Sequence, residues 1–366
     1  MDTLIVPAAR QPVPNPWAQL QTVFVAHPMF DDIMEEIEDV LALHGSADEV
    51  PCLQITGETG IGKTTLFKKL RARYPVVPDG LRTSLPSGLE QVVDYVPLLS
   101  FEMPSQPRVI PVARAMLKAL GDPLWKKGRR EDLEDRVDLY LKACGTVGIL
   151  IDEAQRAVDR NGVLSAGDLI DWIKTRHSVS GVSFIMLGLP RMRVLVEEDE
   201  QFDRRWDNEL TMDPYDWGAD EVDEPESRAY FIGLLVAFRD ASPIPFAPEV
   251  DVLDDRVAKR FFYVCRGVIG RLKKLLLMAM RVAMRRSEPG HIDLALLEKA
   301  FDKAFRKDKA FEKLINPFGP EWNGQLPPKP RDDRSPIRRP RSKANQVKLR
   351  RSERNMAVTA ALTKTG

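Results

Sequence analysis

The chain is poor in the residues that would support several kinds of chemistry. Of its 366 residues only three are cysteine and four histidine. Cys52, Cys144 and Cys265 are scattered, odd in number and form no CxxC pair. That excludes a disulfide framework and fits a reducing compartment. Cysteine and histidine show no metal-ligand spacing, so no metal other than Mg²⁺ is indicated. No apolar run is long enough to span a bilayer, so no membrane partner is expected. Met1-Asp2-Thr3-Leu4 lacks a basic segment followed by an apolar one, the pattern of a secretory signal. A cytoplasmic setting is therefore the expectation. Net charge is also missing, since 54 basic residues balance 54 acidic ones.

That zero hides an asymmetry. From Asn316 to Gly366 there are 12 Lys/Arg and 4 Asp/Glu, leaving 42 basic and 50 acidic residues in the rest. An acidic body carries a basic tail, and overall neutrality gives no argument against a nucleic-acid partner.

Strand and helix signals alternate through the first part of the chain. Residues 1–22, with Pro7, Pro12, Pro14 and Pro16, read as an extended arm. Phe30, Ile33, Met34, Ile37, Val40 and Leu41 recur at helical spacing within 29–43. Strands are expected at 51–56, 95–101 (weakened by Pro97), 147–151 and 182–187, with helices at 64–73, 109–120, 130–144 and 166–176. This alternation predicts an α/β fold, a parallel sheet flanked by helices, over 23–212. After Asp213 the signals are all helical, at 226–238, 254–265, 269–286 and 293–305, which predicts a small helical lid over 213–315. The acidic stretch 213–226 reads as a solvated linker. From 316 to 366 apolar periodicity disappears, and a largely disordered basic tail is expected.

The most specific signal is Gly57-Glu58-Thr59-Gly60-Ile61-Gly62-Lys63-Thr64, followed by Thr65. A strand precedes it and a helix follows. Its glycines let the backbone N–H groups turn toward phosphate oxygens, and the helix adds the positive end of its dipole. Lys63 is expected to reach the β- and γ-phosphates of ATP and Thr64 to ligate Mg²⁺. About 90 residues downstream, Gly148-Ile149-Leu150-Ile151-Asp152-Glu153 supplies the matching acidic strand end. Asp152 is the expected Mg²⁺ partner and Glu153 the base for the attacking water. The Asp-Glu pair favours a hydrolysing ATPase over a kinase.

Two further arginine sites stand out. Arg204 and Arg205, in Gln201-Phe202-Asp203-Arg204-Arg205-Trp206, could reach across a subunit interface to a γ-phosphate, or belong to a surface cluster with Asp199, Glu200, Asp203 and Asp207. Arg271, in Gly267-Val268-Ile269-Gly270-Arg271, follows a Gly-rich turn and could touch phosphates or be an ordinary exposed side chain.

In this order these residues resemble an AAA+ ATPase, and more narrowly the TniB/TnsC family of transposition regulators found in Tn-seven-like and CRISPR-associated transposons. The resemblance runs from about Val23 to Phe305. It rests on Gly57–Thr65, the strand near Val96, Ile149–Gln155, Phe184–Pro190, Gln201–Trp206, Tyr215-Asp216-Trp217 and Gly267–Leu276. It implies an ATP-driven homo-oligomer, a ring or helical filament with six or seven subunits per turn, assembled on double-stranded DNA. Such assemblies link a TniQ-type target-selection protein or a CRISPR guide-RNA complex to a DDE transposase. Arg204 or Arg205 would be the trans arginine finger and Arg271 the second sensor. Relatives often carry a polar first sensor where this chain has Leu187-Gly188-Leu189-Pro190, and Ser183 lies too early to replace it. Slow or partner-stimulated hydrolysis would follow. Competing readings are an AAA+ ATPase of another role (initiator, loader or secretion type) and a nucleotide-switched signalling module without DNA.

A filament on DNA needs cations facing phosphates. Lys126, Lys127, Arg129 and Arg130 form a basic loop beside Trp125, and Lys174 and Arg176 close a helix next to His177. For each group a solvated surface is the competing reading. The same holds for the tail arginines and lysines, from Arg338 to Arg354.

Overall fold

Each strand of the central sheet puts alternate side chains on opposite faces, and helices cover both. In the computed structural model, the residues described are 20, 23–24, 28–46, 50–84, 90–159, 162–193, 195, 206, 208–218, 225–285, 290–306, 311 and 314–326. Through the sheet region the elements run α1 (Pro28–Ala42), β1 (Leu53–Gly57), α2 (Lys63–Arg73), β2 (Val77–Ser84), β3 (Glu90–Tyr95), β4 (Leu98–Glu102), α3 (Val109–Ala119), α4 (Arg130–Ala143), β5 (Gly148–Asp152), α5 (Arg156–Asp159), α6 (Gly162–Ser180), β6 (Ser183–Gly188), a 3₁₀ turn (Pro190–Arg193) and β7 (Asn208–Met212). Helices α7 (Pro225–Asp240), α8 (Asp255–Cys265), α9 (Ile269–Ala283) and α10 (Leu294–Phe305) follow.

The five-stranded sheet has the order β4-β5-β6-β1-β7. All of its pairings are parallel. Parallel strands need crossovers, and helices covering both faces bury the strands, so β5 and β6 read as apolar runs, while β1 buries Gln54 and Thr56 between its apolar residues. All residues of β1, β5 and β6 are buried. Ile149, Ile151, Phe184 and Met186 face a core shared with α3, α4 and α6. Leu150, Ile185, Leu187, Leu53 and Ile55 face the opposite core, with α1 and α2. The apolar stripe foreseen on α1 is the one buried there, as Phe30, Ile33, Ile37, Val40 and Leu41. Each such side chain contributes about 1.5–3 kcal/mol by leaving water.

The structure corrects four sequence expectations. The strand expected over 95–101 is broken: β3 ends at Tyr95 and β4 starts at Leu98, because Pro97 cannot donate to a ladder. Strands β2 and β3 form an antiparallel hairpin with an irregular register between Val77 and Leu81. The periodicity did not reveal it, since Pro78, Asp79 and Gly80 interrupt the pattern. Strand β7, also unforeseen, pairs with β1 at the sheet edge. The stretch after it is not simply a solvated linker. Tyr215 and Trp217 are buried, Trp217 at 2% exposure, and both rings pack edge-on against Phe231 with centroids 6.2 Å away. Residues 219–224 lie outside the described residues.

The helical part follows the foreseen spacing and is capped where the sequence allows. Asp254 accepts from the Arg256 and Val257 amides to start α8, and Asp293 accepts from the Leu296 amide to start α10. Arg266 (φ 49°) and Gly267 (φ 76°) end α8 in the left-handed region. The ordered body runs past the expected limit at 315. Phe318 is buried with its ring 5.3 Å from that of Phe261, and the Trp322 ring lies 6.0 Å from that of Tyr263. The basic tail from 327 onward lies outside the described residues. Among the described residues no helix is long and apolar enough to cross a membrane.

Candidate functional site

The sheet order decides which loops meet. Strand β6 lies between β5 and β1, so the carboxyl ends of these three parallel strands open onto one crevice, the usual ligand position in open α/β sheets. The crevice holds a cavity of about 610 Å³. One wall is the Gly-rich loop, Thr59 to Thr65; another is Asp152, Glu153, Gln155 and Arg156. Ile269, Gly270 and Lys273 of α9 contribute a third. Val23, Phe24, Met29, Phe30, Tyr215 and Leu234 give the cavity an apolar portion of the kind that suits a planar base.

The loop after β1 adopts the conformation its glycines permit. Gly60 (φ 85°) and Gly62 (φ 132°) occupy backbone regions costly for other residues. Gly62 is the residue before α2, and its carbonyl accepts from the Thr65 and Leu66 amides. The Lys63 ammonium is buried and donates to the carbonyls of Gly57 (2.6 Å) and Glu58 (2.8 Å). Burial pulls its pKa below the usual lysine value, opposed by the carboxylates of Asp152, Glu153 and Glu58. Thr64 is exposed and lines the same cavity.

Asp152 ends β5 at 5% exposure. Burial raises its pKa, with the Glu153 amide bond acting the other way and the charges of Glu153 and Glu102 adding to the rise. A hydroxyl and a buried carboxylate lining one cavity form a hard oxygen set that fits Mg²⁺. Glu153 has φ 58°. This left-handed conformation costs a non-glycine residue about 1–2 kcal/mol, and such strain gathers at functional positions. The Gln155 side-chain amide donates to Glu153 Oε2 at 3.0 Å, and Arg156 lies 3.5 Å from the same oxygen.

Helix α9 comes down on the loop. The Gly270 amide donates to the Gly60 carbonyl at 2.8 Å. A Cβ on Gly270 would lie 2.9 Å from Gly60 Cα. Gly267 is equally constrained, as a Cβ there would lie 1.9 Å from the Tyr215 carbonyl oxygen. Both glycines of the Gly267–Arg271 run therefore have a steric reason. Arg271 stands 3.7 Å from Glu58 Oε2, beside the loop, and its guanidinium covers the Phe311 ring.

Other candidate residues of the sequence fall elsewhere. Arg204 and Arg205 lie outside the described residues. Lys126, Lys127 and Arg129 are exposed on the loop before α4, with the Lys126 ammonium 4.9 Å from the Trp125 ring centroid. Arg130 is tied to Glu134 and Asp168. Arg176 is 8% exposed and its guanidinium is taken by Asp138 and the Glu134 carbonyl, so it turns no free face to a phosphate. Lys174 pairs with Asp171. His177 is buried against Cys52 and the Val182 carbonyl. Ser183 opens β6 and donates to the Pro51 carbonyl, at the opposite end of that strand from the crevice. Among the crevice residues that carry no role in the sequence pattern are Gln155 and Arg191. Gln155 merely follows the acidic strand end, and Arg191, paired with Asp159 at the cavity edge, belongs to no motif.

The same fold occurs in solved structures at low sequence identity. The Aeropyrum pernix ORC2 protein, solved as ADPNP–ADP complexes, matches with 14% identity and a TM-score of 0.53, covering 78% of this chain and 71% of that one. The Aeropyrum pernix ORC1 protein in complex with DNA matches with 19% identity and a TM-score of 0.54 (80% and 70% covered). Cdc6p from Pyrobaculum aerophilum matches with 12% identity and a TM-score of 0.55 (78% and 70%). No curated protein matches the chain. The fold, a parallel sheet flanked by helices with a Gly-rich loop and an acidic strand end at one crevice, is that of the AAA+ P-loop ATPases, a nucleotide-binding class. Within that class the model of the family described as "Bacterial TniB protein" matches residues 17–213, more than half of the 366 residues, and the chain belongs to the TniB family.

Proposed function

We propose that this chain is an ATP-switched, DNA-binding regulator of transposition. It would assemble as a ring or helical filament on double-stranded DNA and link a TniQ-type or guide-RNA target selector to a DDE transposase. Hydrolysis would time disassembly. The observation that carries the reading is the Gly270–Gly60 contact in a TniB-family chain, because it joins the Gly-rich loop to the helical part, so that a nucleotide held by the loop would act on that part too. In support, the similarly folded ORC1 protein has been solved in complex with DNA.

In this reading the α/β part (23–212) holds the phosphates and the helical part (213–315) closes on them. The loop amides of Gly57 to Thr65 and the Lys63 ammonium hold the β- and γ-phosphates. Thr64 and Asp152 would hold Mg²⁺, which would supply charge neutralisation. Glu153 takes the proton of the attacking water. Arg271 leaves Glu58 for the γ-phosphate, and Arg204 or Arg205 of a neighbouring subunit completes the site. Lys126, Lys127 and Arg129 face DNA phosphates.

Electron microscopy of the full chain with duplex DNA and a non-hydrolysable ATP analogue at low salt tests this directly. DNA-dependent rings or filaments are expected. Nucleotide binding without any DNA-dependent oligomer would favour a signalling module and sink the proposal.

A further inference from the structure

Strand β6 ends between the phosphate loop and the acidic end of β5, yet Leu187-Gly188-Leu189 offers no polar side chain there. The space above that end is filled partly by Met192, from the turn that follows β6, and partly from the turn of the neighbouring strand. A Cβ on Gly188 would strike the Met192 sulfur, and would lie 2.8 Å from Gln155 Oε1 and 3.2 Å from the Gln155 backbone nitrogen. The Ala154 amide also donates to the Leu187 carbonyl at 2.9 Å, so the turn after β5 is laid over the end of β6.

Gln155 is 5% exposed and lines the cavity. It makes two hydrogen bonds that differ in kind. Its Oε1 accepts from the Leu189 amide at 3.2 Å. Its Nε2 donates to Glu153 Oε2 at 3.0 Å. A backbone N–H can only donate and a carboxylate can only accept, so the two neighbours fix which way the amide points. Glu153 meanwhile sits in a left-handed conformation that needs support from its surroundings. A buried amide bonded at both ends gives that support and ties the carboxylate to the strand beside it.

We propose that Gln155 positions Glu153 and, from the turn after β5, supplies the polar contact that β6 lacks beside the phosphate pocket. The inference rests on the reading of Glu153 as the base. In that role the glutamine sets where the carboxylate oxygen stands when water attacks. Gly188 has no room for a side chain, because the Met192 sulfur and Gln155 together occupy that space. A merely structural glutamine would need only the Leu189 bond.

Gln155→Glu separates the two roles. The substituted side chain has nearly the same shape and can still accept from Leu189, but as a carboxylate it cannot donate to Glu153 and repels it. Turnover of the full chain with duplex DNA is expected to fall about 10- to 100-fold, the cost of a misplaced catalytic group. Nucleotide affinity should change less than about twofold and the melting temperature by no more than a few degrees. In a Glu153→Gln background the same substitution should have no further effect, since no base remains to be positioned. Normal turnover of Gln155→Glu beside an inactive Glu153→Gln protein would overturn the inference alone. Additive losses in the double variant, or a joint fall in affinity and melting temperature, would make Gln155 structural and overturn it too. Normal turnover of Glu153→Gln would instead remove the reading of the site itself.

Discussion

The Gly270 amide and the Gly60 carbonyl meet at 2.8 Å, joining the first turn of a helix in the helical part to the Gly-rich loop of the sheet part. Neither residue has room for a larger side chain at this contact. A Cβ on Gly60 would stand 3.3 Å from Gly270 Cα, and one on Gly270 would stand 2.9 Å from Gly60 Cα. The opposing atoms are backbone and cannot rotate away.

Gly270→Ala should therefore push α9 off the loop without unfolding it. Alanine is favoured over glycine in a helix by about 1 kcal/mol, which offsets part of the steric cost. The melting temperature should move by only a few degrees, while affinity for a fluorescent ATP analogue falls about tenfold. Unchanged affinity would show that the contact is not coupled to the nucleotide. Gly267→Ala should behave differently, since φ is 76° and its Cβ would strike the Tyr215 carbonyl. There the stability itself should fall by about 2–3 kcal/mol in denaturant unfolding.

Lys63→Ala removes the buried ammonium that now bridges the Gly57 and Glu58 carbonyls. Nucleotide-dependent assembly should be lost, as read by light scattering with DNA and an ATP analogue. Assembly at the wild-type nucleotide concentration would refute the assignment of this loop. Glu153→Gln should keep binding and assembly but stop turnover, leaving long-lived complexes; dissociation at the wild-type rate after dilution would argue against hydrolysis as the timer.

If Arg204 or Arg205 acts on a neighbour's nucleotide, each subunit carries half a site. Arg204→Ala and Arg205→Ala would be made separately. The one that acts should lose turnover about 10³-fold or more and keep monomer nucleotide affinity. Adding Glu153→Gln subunits, whose arginines are intact, should restore part of the activity in mixed assemblies. No recovery at any mixing ratio would argue against action in trans.

The exposed and buried basic residues should separate in DNA binding. Replacing Lys126, Lys127 or Arg129 with alanine should weaken binding to any duplex and lower the salt slope by about one for each phosphate left without its cation. Stability should stay within about 0.5 kcal/mol. Arg176→Ala should leave the salt slope unchanged and destabilise the fold by about 1–3 kcal/mol, because the half-buried Asp138 would lose its partner. Burial already raises the Asp138 pKa against the pull of Arg176. A salt slope reduced by Arg176→Ala would show that the pair opens on DNA.

The elements legible in the sequence were those with strong local patterns. Helices α1 to α4 and α7 to α10 showed apolar residues at helical spacing, and β1, β5 and β6 showed short apolar runs. What escaped had mixed local signals. Asn208 to Met212 does alternate polar and apolar residues, but over only five residues with two apolar side chains the pattern is too short to stand out; it pairs along β1 at the sheet edge. Tyr215 and Trp217 sit among acidic residues, yet their rings find Phe231, and the Trp217 ring also lies 5.4 Å from that of Phe262. Arg176 looked like a surface cation until α4 brought Asp138 against it.

The sequence by itself determined the conformation of the Gly-rich loop and the acidic strand end. Both depend on short-range sterics: glycines where φ must be positive, a helix start beyond them, and a carboxylate at the end of a buried strand. The tertiary structure decided which distant residues complete that site. Only the order β4-β5-β6-β1-β7 brings the end of β6 between the two motifs and lets Gln155 bridge Glu153 to Leu189. Only the docking of α9 sets Gly270 on Gly60. Such contacts depend on packing between elements far apart in the chain, which no local pattern of residues encodes.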